Sequence, residues 1–412
     1  MPLPAPDSLL RTLDQFAGSL GFGKAHLDSE TLVGTALRRS GRREFRDASF
    51  LPALRFLLEC CEHEADLSVF GKQAAKWDVL RCLSNLLRFE AEEDAGPGIV
   101  DEKIDRPIFI TGLPRSGTTL LHSLLTLDSS LRVPRCWQTI SPYPKGNRDR
   151  RRQQVEGQLH IFQRLAPEMA ALHPLSADSP QECTEITAQV FQSLRYEMTY
   201  RIPSYQGWID AAGHVPAYRF HKRFLQHLQY QQGGGRWVLK CPDHIHALNA
   251  IERTYPDCGI VFVHRDPLRV IASAAKLTEV VRRPFTRHVD KHEIGRQVLG
   301  RLMEGADTMI ERSSADPRIF HVRYTEFARN PLAAVQSLYR HFGLTLEDEP
   351  RERMREFLAA SPPANHRCTA EEFGLNLQRL RDRFESYMEQ FDIHRESPVW
   401  QSRAAVQIPI AA

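Results

Sequence analysis

The chain lacks the usual signs of disulfides, bound metal and membrane insertion. Its eight cysteines are scattered, and none forms a C-x-x-C pair of the kind that holds zinc. No stretch approaches 18 uninterrupted apolar residues, and the N-terminal M-P-L-P-A-P-D lacks the basic and apolar regions of a signal peptide. We therefore expect a cytoplasmic protein with reduced thiols, no membrane span and no zinc site.

The chain also lacks a strong charge of either sign. Its net charge of +3 is too small to indicate nucleic-acid binding, so we expect no nucleic-acid partner. A hydrophobic content of 42% and a charged content of 25% are ordinary for a globular protein. With 412 residues, the chain is long enough to bury a full core.

The first quarter of the chain has a helical pattern. Within residues 1–95, apolar residues recur at helical spacing over 8–20, 50–61 and 74–91, and Gly21 is placed to end the first of these helices. Residues 96–106, which include a proline between two glycines, are typical of a linker. We therefore predict a helical N-terminal region followed by a linker.

After the linker the pattern changes to short apolar runs separated by amphipathic helical stretches. The four runs are residues 107–111, 236–239, 259–263 and 319–323. Near-continuous apolar strands that alternate with helices predict a parallel β-sheet flanked by helices on both faces, which is an α/β fold. Ligands of such sheets bind at the carboxyl ends of the strands.

The rest of the predicted organisation follows from these runs. We expect one α/β domain over residues 107–395, a helical insertion over about 140–232 and a C-terminal tail over 396–412. Because the insertion lies between two strands whose ends meet at one edge, we expect it to shape a substrate pocket.

A glycine-bounded loop follows the first strand. The spacing Gly112-x-x-x-x-Gly117-Thr118-Thr119 nearly matches a P-loop, in which backbone N–H groups and a helix N-terminus bind phosphate. Thr118 stands where the P-loop pattern requires lysine, and Arg115 is the only cation in the loop. The loop therefore indicates phosphate binding but departs from an ordinary ATPase.

A second pair of candidate phosphate ligands follows the third run. Arg265 lies just after that strand, and Ser273 lies eight residues later, about two turns into the next helix. A guanidinium and a nearby hydroxyl suit a phosphate. Alternatively, the segment H-R-D-P caps a helix and Ser273 is a small packing residue.

Together these motifs resemble those of the sulfotransferase superfamily, in particular its large, mainly bacterial branch. The loop L-P-R-S-G-T-T, the segments W-V-L-K-C-P and H-R-D-P, and Tyr324 in R-Y-T-E-F occur in the order typical of that branch. The resemblance covers about residues 107–395. It implies a P-loop-like fold, the donor 3′-phosphoadenosine 5′-phosphosulfate, and transfer of a sulfuryl group to a hydroxyl or amine without metal.

The resemblance also implies roles for individual residues. Arg265 and Ser273 match the ligands of the donor's 3′-phosphate, and Lys240 matches the family lysine that stabilises the leaving oxygen. The remaining residues expected to contact the donor are Arg115, Ser116, Gly117, Thr118, Thr119 and Tyr324. A sulfuryl group carries less negative charge than a γ-phosphoryl group, which is consistent with the missing P-loop lysine.

The residue that accepts the acceptor's proton is less clear. Gln138 stands where this branch often has glutamate, and an amide cannot accept a proton at neutral pH. We therefore consider His244 and Glu182 equally, with His122 behind them. Each of the three can instead have a structural role.

The sequence leaves two other functions and the acceptor open. A small-molecule kinase using ATP and Mg²⁺, or a nucleotide-binding regulatory protein without catalysis, are the alternatives. The acceptor can be a small molecule, a lipid or a glycan, and the oligomeric state is open. Several aromatic residues either line an apolar pocket or belong to the core: Trp137, Tyr143, Tyr196, Tyr200, Tyr205, Trp208 and Tyr218.

Overall fold

The computed structural model describes residues 26–146, 148–312, 316–360 and 368–396. The helix predicted over residues 8–20 lies outside these ranges. Within them, the structure confirms an α/β fold in which a parallel sheet is flanked by helices. No helix of the described residues is both long and apolar enough to cross a membrane.

Five parallel strands form the sheet in the order β2-β3-β1-β4-β5. The strands are β1 (Ile108–Gly112), β2 (Leu131–Arg132), β3 (Arg236–Lys240), β4 (Gly259–His264) and β5 (Ile319–Arg323). The apolar runs in the sequence predicted four of them. The strand β2 was not predicted, because two residues are too short for a periodic signal.

The register of the sheet brings the polar segments together at one edge. Gly112 at the end of β1 pairs with Val263 of β4, and Ile110 pairs with Lys240 of β3. Lys240 lies within the strand rather than after it, since β3 extends one residue beyond the predicted end. The loop after β1 and the segments after β3 and β4 therefore leave the same edge of the sheet.

The N-terminal region is helical where it is described. It contains α1 (Ser29–Ser40), α2 (Leu51–His63), α3 (Val69–Ala95) and a short 3₁₀ helix (Pro97–Asp101). Asp28 caps the first helix by accepting a hydrogen bond from the Thr31 N–H at 2.7 Å. Buried residues of α3 belong to the same hydrophobic cluster as Phe109 of β1, so these helices share the core of the sheet.

Helix α4 follows β1 after the glycine-bounded loop, and most of the later segment up to β3 is helical. The helices are α4 (Thr118–Leu125), α5 (Cys136–Ile140), α6 (Arg151–Leu165), α7 (Met169–Leu172), α8 (Thr184–Thr187), α9 (Arg195–Thr199), α10 (Pro203–Ala212) and α11 (Val215–Gln232). A 3₁₀ helix occupies Ala188–Val190.

The remaining helices complete the layers on the two faces of the sheet. They are α12 (Leu248–Thr254), α13 (Pro267–Arg282), α14 (Lys291–Arg312), α15 (Tyr324–Arg329), α16 (Pro331–His341), α17 (Asp348–Ala360) and α18 (Leu377–Gln390). Two 3₁₀ helices occupy Pro242–Ala247 and Glu371–Phe373. Asp266 caps α13 through the Leu268 N–H at 2.9 Å, with Pro267 in the first turn.

Candidate active site

A cavity of about 510 Å³ lies at the carboxyl edge of the sheet. Its loop half is bounded by residues 112–120 except Ser116, together with Arg265, Ser273 and Tyr324. The other half, called the insertion half, is bounded by residues of the insertion and by α13 and α14. Its apolar side chains are Met169, Leu194, Met198, Leu277, Val281 and Val298, and its charged side chains include Glu182, Arg195, Glu197 and Arg301. The two halves are continuous, so one cavity joins the phosphate-type loop to the helical insertion.

Close contacts fix the conformation of the loop. Gly112 has a φ of 145° and Gly117 a φ of 98°, both in the region that favours glycine. A Cβ on Gly112 would lie 2.3 Å from the Val263 carbonyl oxygen, and one on Gly117 would lie 2.6 Å from the Tyr324 ring. Arg115 also has a positive φ, of 66°, which is uncommon for a residue with a side chain. Because Gly112 and Gly117 have no side chain, the loop can pass close to β4 and Tyr324.

The residues after Arg115 face different directions. Ser116 is fully buried, does not line the cavity, and donates its N–H to the Leu113 carbonyl at 3.2 Å. Gly117, Thr118 and Thr119 line the cavity at the start of α4. The N–H groups of a first helical turn have no acceptor within their own helix, so they are available to an anion.

Two arginines and a serine form a cluster beside the loop. Arg115 Nε donates to Ser273 Oγ at 3.0 Å, and Arg265 Nη1 donates to the Arg115 carbonyl at 2.9 Å. The Arg265 guanidinium stacks on Tyr324, with its carbon 3.9 Å from the ring centroid. Both arginines line the cavity, so the cluster joins the loop to β4 and α13 at one place suited to an anion.

Lys240 links the loop to the insertion. Its Nζ donates to Thr119 Oγ1 at 3.2 Å and to Glu182 Oε1 at 2.5 Å. The Lys240 side chain is 2% exposed, whereas the Glu182 side chain is 25% exposed and lines the cavity. One ammonium therefore contacts both the start of α4 and a carboxylate that faces the cavity.

Backbone hydrogen bonds bring Glu182 to this position. The Cys183 N–H donates to the Lys240 carbonyl at 3.2 Å, and the Gln181 N–H donates to the Pro134 carbonyl at 2.8 Å. These bonds hold the segment before α8 against the end of β3. The contact between Glu182 and Lys240 therefore depends on main-chain pairing between parts of the chain that are far apart in sequence.

The electrostatics favour an ionised Glu182. Burial raises the pKa of this carboxyl, but the charge of the Lys240 ammonium, the nearby His173 and the hydrogen bond from Lys240 together more than offset that effect, so the pKa lies below its ordinary value. Glu182 is thus a carboxylate at neutral pH. A carboxylate can accept a proton, and it can also hold the lysine in place.

Comparison with known proteins now identifies the family. A sequence profile of the sulfotransferase family matches residues 107–348, which include the loop, Lys240 and the arginine cluster. The chain belongs to the sulfotransferase family. This confirms the resemblance found in the sequence, and the molecule is a sulfotransferase enzyme.

Solved structures and characterised relatives agree with this assignment. Sulfotransferase STF1 from Mycobacterium tuberculosis H37Rv superposes with a TM-score of 0.77 at 29% identity, covering 87% of this chain and 98% of that one. Sulfotransferase STF9 from Mycobacterium avium gives 0.80 at 26% identity, covering 91% and 98%. The omega-hydroxy-beta-dihydromenaquinone-9 sulfotransferase Stf3 of Mycobacterium bovis is 25% identical over 62% of this chain and 67% of its own length.

Two of the three candidate bases lie outside the cavity of this sulfotransferase. His244 is fully buried, and its Nδ1 is 2.5 Å from the Tyr218 hydroxyl. His122 is fully buried as well, with Nε2 at 3.2 Å from the Val238 carbonyl. Burial lowers the pKa of His122 to about 3 and the pKa of His244 well below its ordinary value. The structure therefore places Glu182 in the cavity and both histidines within the core.

The side chain of Gln138 makes a hydrogen bond that gives it a structural role. Its Oε1 accepts a hydrogen bond from the Arg135 N–H at 2.8 Å, which satisfies the backbone at the start of α5. The side chain is 3% exposed and does not line the cavity. In this sulfotransferase, residue 138 therefore caps a helix.

Several polar cavity residues were not predicted from the sequence, among them His173, Asp243 and Arg269. His173 follows α7, and burial lowers the pKa of its imidazole to about 4 despite the nearby Glu182, so the ring is neutral at pH 7. Burial, with Glu182 nearby, raises the pKa of Asp243 to about 7. Arg269 lines the cavity one turn before Ser273 on α13, a four-residue spacing that was the only available signal.

The apolar part of the insertion half consists of aliphatic and methionine side chains rather than of the seven aromatic residues considered from sequence. None of those seven lines the cavity, and five of them are buried in the core. Met169, Met198, Leu277 and Val281 form a separate apolar cluster at the cavity wall. In the described residues, no group of three or more His, Cys, Asp or Glu side chains is arranged to hold a metal ion.

Proposed function

We propose that this sulfotransferase uses 3′-phosphoadenosine 5′-phosphosulfate and transfers its sulfuryl group to a hydroxyl of an apolar, lipid-like acceptor. The observation that carries the proposal is the double contact of the buried Lys240 with Thr119 and Glu182, both of which line the cavity. That contact joins a phosphate-type loop on one side to a proton acceptor and an apolar wall on the other.

In the proposed donor complex, the first-turn N–H groups of Gly117, Thr118 and Thr119, with the Arg115 guanidinium, hold the 5′-phosphosulfate. Ser116 contributes through the loop conformation, because its side chain is buried and its N–H is already bonded to Leu113. Charge on this group is spread over several oxygens, and oriented N–H groups stabilise it without reorganisation.

In the proposed transfer step, each bond that forms or breaks and each proton that moves is accounted for by the donor, the acceptor and residues of the site. The acceptor oxygen forms a bond to sulfur while the bond from sulfur to the 5′-phosphate oxygen breaks. The leaving group is adenosine 3′,5′-bisphosphate, and the Lys240 ammonium stabilises its developing charge. Glu182 accepts the proton of the acceptor hydroxyl, since it is the candidate base that faces the cavity and is ionised. His244 and His122 have no part in this scheme.

The 3′-phosphate distinguishes the proposed donor from ATP. Arg265 and Ser273 lie beside the loop, and Tyr324 supports the Arg265 guanidinium. A guanidinium binds phosphate through two parallel hydrogen bonds, which gives both strength and geometry. We therefore assign the 3′-phosphate to this cluster.

The insertion half supports an apolar acceptor. A cluster of methionine, leucine and valine side chains on its wall offers adaptable apolar contact to the body of an acceptor, beside charged side chains such as Arg195, Glu197 and Arg301. The relative Stf3 is named for a hydroxylated menaquinone acceptor, which has the same general chemistry. An alcohol carried on a long apolar body is thus the acceptor class that we propose.

Ligand binding and product analysis test this function. Adenosine 3′,5′-bisphosphate at 100 times its Kd should stabilise the folded protein by about 2.7 kcal/mol without added metal, and ATP with Mg²⁺ should stabilise it much less. With the sulfated donor and a mixture of long-chain alcohols, mass spectrometry should detect sulfate esters. Stabilisation by ATP with Mg²⁺ alone would contradict the donor assignment, and sulfation of sugars but not of alcohols would contradict the acceptor class.

A further inference from the structure

The Arg265 guanidinium already holds an anionic group from its own chain. Arg265 Nε donates to Glu396 Oε1 at 2.8 Å, and Nη2 donates to Oε2 at 2.9 Å. This is a two-point contact along the edge that a guanidinium uses to bind phosphate. The Glu396 side chain is only 2% exposed, so the pair is enclosed rather than formed at the surface.

The remaining faces of Arg265 are also engaged. Nη1 donates to the Arg115 carbonyl at 2.9 Å, and one face of the guanidinium lies on Tyr324. A phosphate could therefore reach the Nε and Nη2 donors only in the place that the Glu396 carboxylate occupies. Two anions cannot share those donors, because like charges at that separation repel.

Glu396 is held by its backbone as well. Its N–H donates to Asp266 Oδ2 at 3.1 Å, while the other oxygen of that carboxylate caps α13 through Leu268. The chain leading to Glu396 is anchored just before it, since the Phe391 carbonyl accepts from Arg323 Nε at 2.9 Å. The contact is thus built from several described elements around the end of β4.

We infer that Glu396 is an internal mimic of the donor's 3′-phosphate, which closes the Arg265 subsite until a ligand carrying that phosphate displaces it. This inference rests on the proposed function, because it needs a 3′-phosphate at Arg265. Ligands with only a 5′-phosphate leave Glu396 in place. Ligands with both phosphates bind in exchange for the Arg265–Glu396 pair, so their affinity is lower than the cluster alone would give.

The test compares two ligands on two variants. Glu396→Gln removes the carboxylate charge and keeps the side-chain shape, and Glu385→Gln makes the same change on the exposed surface of α18. By calorimetry, Glu396→Gln should bind adenosine 3′,5′-bisphosphate about tenfold more tightly than the native protein. Binding of adenosine 5′-monophosphate should stay within twofold, and Glu385→Gln should change neither.

Hydrogen exchange gives a second readout that a merely structural contact would not move. The Glu396 amide, which is bonded to Asp266, should exchange faster when the bisphosphate is added to the native protein and should not respond to the monophosphate. Equal or weaker bisphosphate binding by Glu396→Gln, with an unchanged amide, would overturn the inference and leave the proposed donor standing. Absence of bisphosphate binding to both proteins would overturn the proposed donor and this inference with it.

Discussion

Two cations lie at the carboxyl ends of the strands on either side of β1, and each is held by a glutamate from a distant segment. Lys240 at the end of β3 pairs with Glu182 of the insertion, and Arg265 after β4 pairs with Glu396 near the C-terminus. The pairs differ in which partner meets the cavity. Glu182 is 25% exposed and lines it, whereas Glu396 is 2% exposed and does not.

This difference separates two uses of the same ion pair. A carboxylate that faces the cavity can exchange a proton with a bound molecule, so the Lys240–Glu182 pair is suited to chemistry. A buried carboxylate that does not face the cavity can affect the site only by moving away from its partner. The Arg265–Glu396 pair is therefore suited to controlling the access of a ligand to Arg265. Four substitutions test the contrast, from the largest expected effect to the smallest.

Replacing Lys240 should have the largest effect. Lys240→Met keeps much of the side-chain volume but removes the charge that would stabilise the leaving oxygen, so kcat should fall by about 10²–10³-fold. The KM for the donor should change much less, because the first-turn N–H groups and the arginines remain. Steady-state kinetics with the sulfated donor measure both constants, and Lys222→Met, outside the cavity, is the control. An unchanged kcat would remove Lys240 from the mechanism.

Replacing Glu182 tests the other half of that pair. Glu182→Gln keeps an oxygen for Lys240 but cannot accept a proton, so kcat should fall by about 10²-fold. Adding Gln138→Glu should not restore activity, because residue 138 caps α5 away from the cavity. Rescue by Gln138→Glu would instead identify residue 138 as the site of the base, and kinetics of the double variant decide between the two.

The sequence predicted the parts of this site that depend on local pattern. The apolar runs and the glycine spacing after Pro107 indicated β1, its loop and α4, because strand, turn and helix start each leave a signature within a few residues. Parallel pairing then placed the ends of β3 and β4 beside that loop. The α/β fold and the positions of Lys240 and Arg265 at one edge were therefore predictable.

The partners of these cations were not predictable in the same way. Glu182 is 58 residues from Lys240, and Glu396 is 131 residues from Arg265. Each contact depends on how a long segment of several helices packs in three dimensions, and that packing leaves no periodic signal in the sequence. For the same reason His122 and His244 were plausible in sequence, although the packing of α4 and of the 3₁₀ helix Pro242–Ala247 buries them in the core.

Replacing Arg265 should have an intermediate and ligand-specific effect. Arg265→Ala removes two charge-assisted hydrogen bonds to the 3′-phosphate, so the Kd of adenosine 3′,5′-bisphosphate should rise by about 10–100-fold. Adenosine 5′-monophosphate should bind within threefold of the native value. Calorimetry measures both, with Arg253→Ala on the exposed surface as the control.

A double variant that combines Arg265→Ala with Glu396→Gln tests whether Glu396 acts through Arg265. If Glu396 acts only by occupying Arg265, then Glu396→Gln should no longer tighten bisphosphate binding once Arg265 is alanine. Additive effects of the two substitutions would mean that Glu396 repels the ligand from a distance. The hydrogen bond between Lys240 and Glu182 should be unchanged in either case, since neither residue hydrogen-bonds to Arg265 or Glu396.

Asp243 provides the smallest effect and a contrast with both pairs, because no lysine or arginine of the described chain forms an ion pair with it. Burial, with Glu182 nearby, raises its pKa from 3.8 to about 7, so the folded protein keeps a proton that the unfolded chain loses. The free energy of unfolding should therefore fall as the pH rises from about 4 to about 7.

Asp243→Asn should remove that part of the decline, so its free energy of unfolding should gain about 1–3 kcal/mol relative to the native protein between pH 5 and pH 8. Urea unfolding at both pH values measures the gain, and Asp307→Asn on the exposed surface should show none. A gain that does not depend on pH would mean that Asp243 is ionised in the fold, and the cavity would then hold an unpaired carboxylate beside Glu182.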